Sequence, residues 1–211
     1  MPAAWGMHTA RRRAGCASMT RPPPPGCLDG ALAGALGLLA RGVADRRSPL
    51  HTPTLATRGA DGAPNARTVV LRAFDAGTRR LRVHTDRRSA KAAELAADPR
   101  VMLHGYDAAA EAQLRIAGRA SLHHADALAE TAWTASRAFS RMCYAAAQPP
   151  GAAVAAPPPA PRDAEAGRDN FMAVVITMDS LDWLLLAHEG HRRARFAWDA
   201  AGRLSASWIA P

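Results

Sequence analysis

From Thr54 onward the chain runs as short alternating segments separated by turn residues, and this pattern limits the fold more than any other feature. Thr54–Arg58 (TLATR) alternates and stops at Gly59-Ala60-Asp61-Gly62, a hairpin connection. Ala66–Phe74 (ARTVVLRAF) is longer and β-branched, and Asp75-Ala76-Gly77 turns it into Arg80–Thr85 (RLRVHT). Period two sends Leu81, Val83 and Thr85 to one face and Arg80, Arg82 and His84 to the other. Arg100–Tyr106 and Ala112–Leu122 add strands, and Asn170–Met178, Trp183–His188, Arg193–Trp198 and Leu204–Ile209 form a closing β block. Two helices are inserted, Ser89–Ala97 (with Ser89 as N-cap and Asp98-Pro99 as stop) and His124–Arg141. About eight strands without βαβ alternation predict a mainly β fold, a β-barrel with peripheral helices.

The flanks read differently. Residues 1–27 are expected to be a disordered leader ending in the Pro22–Pro25 run, with Met19 as an alternative start, and residues 28–211 to be one domain. Arg11–Arg13 followed by Cys16 lacks the apolar stretch that an export signal needs. Leu28–Arg47 carries leucines and alanines at helical spacing, with Asp29 near its start and arginines at its end. Ala145–Pro161 is Ala/Pro low complexity and reads as a loop or mobile lid.

Composition narrows the function classes. The formal charge of +9 invites a nucleic-acid reading, but residues 1–47 hold +5 of it and the remaining 164 residues only +4. Aromatics at 5% are too few for a base-stacking platform. Cys16, Cys27 and Cys143 lack metal-ligand or disulfide-framework spacing, so no metal is expected and a cytoplasmic location fits. The longest apolar run, Ala31–Ala40, is half the length of about 20 residues that a helical membrane span requires.

Phosphate-loop, dinucleotide-loop, nucleophile-elbow and H-E-x-x-H motifs are missing from the sequence. Two segments stand out instead. In Arg67-Thr68-Val69-Val70-Leu71-Arg72, alternation puts Arg67, Val69 and Leu71 on one face and Thr68, Val70 and Arg72 on the other. Arg67 then suits either a bound anion or the rim of the strand. In His84-Thr85-Asp86-Arg87-Arg88-Ser89-Ala90-Lys91 a strand enters a helix, so Ser89, the first helix N–H groups and Lys91 converge where an anion is well held. Lys91 is the single lysine among 26 arginines. Gln113 opens a strand, and Gly118 within it marks a bulge or a close approach. Trp183 lies in a short strand and is more often core than cofactor wall, and Gly190–Arg195 reads first as a solvated basic hairpin rim.

Taken in order, R-T-V-V-L-R, H-T-x-x-x-S-x-K, D-P-R-V, Q-L-R-I-x-G, Trp183, R-x-R-F at Arg193–Phe196 and the terminal W-I-A-P resemble the pyridoxamine 5′-phosphate oxidase family, over about Pro49 to Pro211. The branch it looks closest to is that of the oxidase-related FMN-binding proteins. The resemblance implies a split β-barrel that binds FMN at a homodimer interface. It implies that Arg67 and Lys91, assisted by Ser89, hold the FMN phosphate. The backbone of Thr68, Val69, Val70 and Leu71 would flank the ring, with Arg72 near flavin and substrate. His84, Thr85 and Gln113 would contact ribityl or ring, and Trp183 and Arg195 would complete the pocket, from the partner chain. Trp133, Arg137, Arg192 and Arg193 join Arg72 as implied contacts to a small, phosphorylated substrate.

The departures are as specific as the matches. The region His191-Arg192-Arg193-Ala194-Arg195 lacks the histidine of the vitamin B6 enzyme's R-x-H, Ala90 replaces a basic residue beside Lys91, and a Gln-Ser segment gives way to Ala/Pro-rich sequence. The resemblance therefore implies an FMN-dependent oxidoreductase, passing hydride to flavin N5 with reoxidation by oxygen. Two other readings stay open: a flavin-binding module or sensor without turnover, and a basic nucleic-acid or anion binder.

Overall fold

The computed structural model describes residues 25–211; the leader and most of the proline run lie outside the described residues. Helix α1 (Leu28–Ala44) buries Ala31, Ala35, Leu39 and Gly42, spaced for one side of a helix. Sequence reading carried it to Arg47, but the chain turns back sooner. Ser48 N–H donates to the Asp45 carbonyl at 3.0 Å, and a Cβ on Gly42 would stand 2.6 Å from the Leu50 carbonyl oxygen.

Nine strands follow among the described residues: β1 (Thr54–Arg58), β2 (Pro64–Thr68), β3 (Ala73–Asp75), β4 (Arg80–Asp86), β5 (Arg100–Asp107), β6 (Ala112–His123), β7 (Phe171–Leu185), β8 (Arg192–Trp198) and β9 (Leu204–Ile209). They form one antiparallel sheet in the order β2-β1-β5-β6-β7-β4-β3, with β8 on β7 and β9 on β8. This is the mainly β, split-barrel architecture expected, with helices outside.

Strand β7 does the splitting. β6 lines one edge of it throughout, whereas the other edge is shared by β4 along Phe171–Thr177 and β8 along Ser180–Leu185. The two segments read from sequence, Asn170–Met178 and Trp183–His188, are therefore one continuous strand. At the changeover Ala117 pairs with Ser180 and Gly118 with Met178, leaving Asp179 as the extra residue of a β-bulge. A Cβ on Gly118 would stand 2.3 Å from the Thr177 carbonyl oxygen, so this position requires glycine.

A second bulge closes the barrel. The segment read as one strand, Ala66–Phe74, changes partner midway and divides into β2 and β3. Through Thr68 it pairs with β1, and the N–H groups of Val69 and Leu71 donate to the Pro53 and His51 carbonyls at 3.0 and 2.8 Å. Arg72 N–H then donates to the Arg82 carbonyl at 2.8 Å, while Ala73 is the register partner of Arg82. Two residues oppose one, and the inward parity shifts: Val69 and Leu71 are core, and beyond the bulge Phe74 packs inward.

Leu71, Leu81, Val83, Leu114, Ile176 and Leu181 fill the barrel, and Ala35 and Leu39 of α1 belong to the same core. Helix α2 (Ala90–Ala97) links β4 to β5. Sequence reading gave one helix over His124–Arg141, but the structure has α3 (Ala127–Thr134) and α4 (Ala138–Arg141). The break has a local cause. Arg141 donates Nε to the Trp133 carbonyl (3.0 Å) and Nη2 to that of Thr134 (2.9 Å), satisfying the carbonyls at the end of α3. Trp133, Tyr144, Phe171 and Ala173 form a second, smaller core under α3. Ala145–Pro161 is a loop free of helix and strand, tied at its start by Arg88 to the Ala146 and Ala147 carbonyls (2.9 and 3.1 Å).

Candidate functional site

The strand–turn–helix at β4–α2 gathers four of the expected residues. Thr85, inward-facing on β4, is 3% exposed and Ser89 is 4% exposed. Their hydroxyl oxygens lie 3.0 Å apart. Ser89 occupies the N-cap position of α2, but its hydroxyl turns to Thr85 and leaves the first helix N–H groups uncapped. Lys91 Nζ donates to Thr85 Oγ1 at 3.0 Å. Burial holds the Lys91 pKa below the ordinary lysine value and the charge of Arg67 adds to that, against an opposing pull from Asp86 and Glu94. Lys91 is therefore held on the hydroxyl pair, with the Arg67 charge near it.

Residues that sequence reading did not single out organise these cations. Arg67 donates through Nη2 to Glu94 Oε2 at 2.8 Å and through Nη1 to Thr57 Oγ1. Glu94, 8% exposed, also accepts from Thr57 Oγ1 (2.5 Å) and Asn65 Nδ2 (2.7 Å). Asp86 is engaged by Arg88, through the backbone N–H at 2.8 Å and through Nε and Nη2 at 3.0 and 2.7 Å. Both nearby carboxylates thus have arginine partners, and among the described residues Lys91 hydrogen-bonds only to the Thr85 hydroxyl. The glutamate three positions after Lys91, on the same helix face, was the available signal.

The outer face of β4 carries a second group. Burial, with the charges of Arg82 and Arg72 behind it, pushes the His84 pKa down to about 3. Its ring meets Phe171 edge to face at 4.8 Å. Burial pushes the Tyr144 phenol up to about 12 against the opposing charge of Arg72. Arg72 Nε, Arg82 Nε and His84 Nε2 are closed to solvent without a hydrogen-bond partner among the described residues.

The remaining expected residues lie elsewhere, on β6–β8 and on α3 and α4. Gln113 sits between Tyr106 and Leu184, and its Oε1 is 3.2 Å from His104 Nε2. Arg195, exposed on β8, is paired in register with Asp182 and Ser207. Arg193 forks onto Asp182 (Nε–Oδ1 3.0 Å, Nη2–Oδ2 2.7 Å). Arg192 Nη1 donates to the Pro25 carbonyl at 2.8 Å. Arg137 is exposed at the N-cap of α4. Two of the expected residues are enclosed in the cores. Trp183 is 3% exposed in the barrel core. Trp133 is 2% exposed in the second core, under the Arg141 guanidinium at 5.0 Å, with Nε1 donating to Glu165.

Ser121, His123 and Asp126 line up at 2.9 and 2.8 Å. Asp126 is also the N-cap of α3, accepting from Ala129 N–H, so this relay ties the end of β6 to the helix start.

Residues 44–168 match the family model described as pyridoxamine 5′-phosphate oxidase. That span is more than half of the chain, and the chain belongs to this family. A pyridoxine/pyridoxamine 5′-phosphate oxidase of Anaeromyxobacter dehalogenans is 37% identical over 97 residues, 46% of this chain and 48% of the relative. Pyridoxine/pyridoxamine 5′-phosphate oxidase 2 of Arabidopsis thaliana is 35% identical over 102 residues, 45% and 52% of the two chains. The chain spans about half the length of the curated relatives it matches. Among solved structures, a pyridoxamine 5′-phosphate oxidase-related, FMN-binding protein of Nostoc punctiforme superposes with a TM-score of 0.73 at 26% identity, covering 85% of this chain and 96% of that one. PhzG of Burkholderia lata, in complex with tetrahydrophenazine-1-carboxylic acid, shares the fold at a TM-score of 0.63 and 19% identity, over 87% and 90% of the chains. Among the described residues no helix is long and apolar enough to cross a membrane.

Proposed function

We propose that this protein binds FMN and acts as an FMN-dependent oxidoreductase on a small, phosphorylated substrate, as a cytoplasmic homodimer. The observation that carries the reading is the cluster of Thr85, Ser89 and Lys91 at the uncapped start of α2, with Arg67 near enough for its charge to act on Lys91. Two cations, two hydroxyls and free helix N–H groups fit a phosphate dianion, and among the described residues no carboxylate forms an ion pair with Lys91. The donor set therefore suits the phosphate end of FMN.

Arg67 and Lys91 hold that phosphate, Ser89 and Thr85 orient it, and Glu94 fixes the Arg67 guanidinium. The irregular segment Thr68–Leu71 offers backbone groups to the flavin ring, and Gln113 an amide to its polar edge. Arg72 and His84 lie on the substrate side, and Arg195 of the partner subunit closes the pocket, with Arg137 and Arg192 as further substrate contacts. Bound FMN would supply a two-electron acceptor at N5 that oxygen can reoxidise; the protein's part is binding, orientation and exclusion of water. Support comes from family membership and from the FMN-binding relative of Nostoc punctiforme.

The test is the visible absorption spectrum of the purified protein, with identification of any chromophore released on denaturation. FMN in the supernatant is expected. A colourless protein that takes up no added FMN contradicts the proposal.

One observation favours a second reading, flavin binding without pyridoxine or pyridoxamine phosphate turnover. The His191–Arg195 segment lacks the histidine of the B6 enzyme's R-x-H, and Arg193 within it is committed to Asp182 by two hydrogen bonds. Peroxide formation by FMN-loaded protein on adding pyridoxamine 5′-phosphate would exclude this reading; its absence would favour it.

A further inference from the structure

We infer that Arg82, together with Arg72 and His84, forms an oxyanion-recognition subsite on the outer face of β4, taking a phosphate or carboxylate group of the substrate. The inference rests on the flavin-site reading for the position of the substrate, but its residues are argued from the barrel itself. Sequence alternation separates Arg72 from Arg82, since they belong to different strands. The bulge brings them together, because Arg72 and Ala73 both stand opposite Arg82.

The charges so gathered are uncompensated. No ion pair among the described residues involves Arg72 or Arg82. The carboxylates of the same strands are taken: Asp86 by Arg88, and Asp75 by the turn groups of Gly77 and Thr78. Register neighbours of Arg82 and His84 are Ala73, Val175 and Ala173, small apolar residues that offer neither counter-charge nor hydrogen bond. Three nitrogen atoms are closed to water and unpaired. Burying cationic donors without a partner is unfavourable, and an anionic ligand group is what relieves it. Burial alone lowers the Arg82 pKa. His84 stays neutral and adds no third charge, while its Nε2 remains available to an oxygen.

The experiment compares wild type with Arg82→Gln and Arg82→Lys, each saturated with FMN and titrated calorimetrically with inorganic phosphate and separately with benzoate. Wild type is expected to bind at least one probe, and Arg82→Gln to bind it about tenfold or more weakly, the effect of losing one charge-assisted hydrogen bond. Arg82→Lys, which keeps the charge but not the fork, should fall between them. FMN affinity should be equal in all three, because Arg82 lies outside the phosphate cradle. Phosphate binding alone identifies a phosphorylated substrate, and benzoate binding alone a carboxylate. Probe binding unchanged in Arg82→Gln, or no binding of either probe by wild type, overturns the inference. Arg82-dependent probe binding in a protein that takes up no FMN would support the subsite and contradict the flavin reading. Near-ultraviolet circular dichroism of each variant separates a lost subsite from a lost fold.

Discussion

Glu94 shows how one residue sets the chemistry of its neighbours. Burial alone would raise its pKa, but hydrogen bonds from Thr57, Asn65 and Arg67 outweigh that and hold it below the ordinary glutamate value. A carboxylate whose folded pKa is depressed stabilises the fold above its unfolded pKa, and that stability is lost as pH falls through the folded value. Glu94→Ala leaves Arg67, Thr57 and Asn65 without their acceptor and should destabilise the protein by about 1–3 kcal/mol in denaturant unfolding. The same variant should weaken FMN binding, because the Arg67 guanidinium is no longer held in place. His84 makes a spectroscopic prediction. With its pKa near 3, the imidazole signals should show no titration between about pH 8 and 5, whereas an ordinary histidine has its midpoint near 6.5. In that interval the unfolded chain takes up a proton that the folded protein refuses, so stability falls as pH drops from about 6.5 toward 3. A midpoint near 6.5 for His84 would contradict the burial described.

At the scale of elements, the two bulges explain both the fold and the limits of reading it from sequence. Gly118→Ala would push a Cβ to 2.3 Å from the Thr177 carbonyl oxygen at the point where β7 changes partners. It should cost about 1–3 kcal/mol and lower the denaturant midpoint at constant slope. Strands with regular alternation were legible: Thr54–Arg58 and Leu204–Ile209 match their expected bounds, and Leu81, Val83 and Thr85 share the inward face. Gly118 was legible as a bulge or close approach because glycine inside a strand has few other uses. The division of Ala66–Phe74 was not, because it depends on β1 and β4 arriving from distant sequence to take opposite halves of one segment. The join of Asn170–Met178 to Trp183–His188 was hidden for the same reason, since Asp179 interrupts alternation only where the second partner changes. The break between α3 and α4 depends on Arg141 folding back onto the Trp133 and Thr134 carbonyls, a contact that spacing does not encode. In the candidate site, the grouping of Thr85, Ser89 and Lys91 was readable because these residues are nearly contiguous at a strand-to-helix turn. Glu94, Thr57 and Arg82 were missed because their roles come from tertiary pairing.

At the scale of the molecule, Gln113 and Arg195 lie on the β6–β7–β8 half of the split sheet, while Arg67 and Lys91 lie around the β4–α2 turn. A ligand touching both sets fits a dimer in which the partner subunit presents Arg195, and light scattering should report about twice the 22.3 kDa chain mass. A monomer that still binds flavin would contradict the assignment of Arg195. The central claim is that the Arg67–Lys91 cradle holds the phosphate of FMN. The most direct measurement is the affinity of wild type and of Arg67→Ala/Lys91→Ala for FMN and for riboflavin, which lacks the phosphate, followed by flavin fluorescence. Wild type should prefer FMN by about a hundredfold or more, two charge-assisted contacts' worth, and the double variant should lose that preference while remaining folded. Equal affinity of wild type for the two flavins, or a double variant that still discriminates between them, would contradict the account.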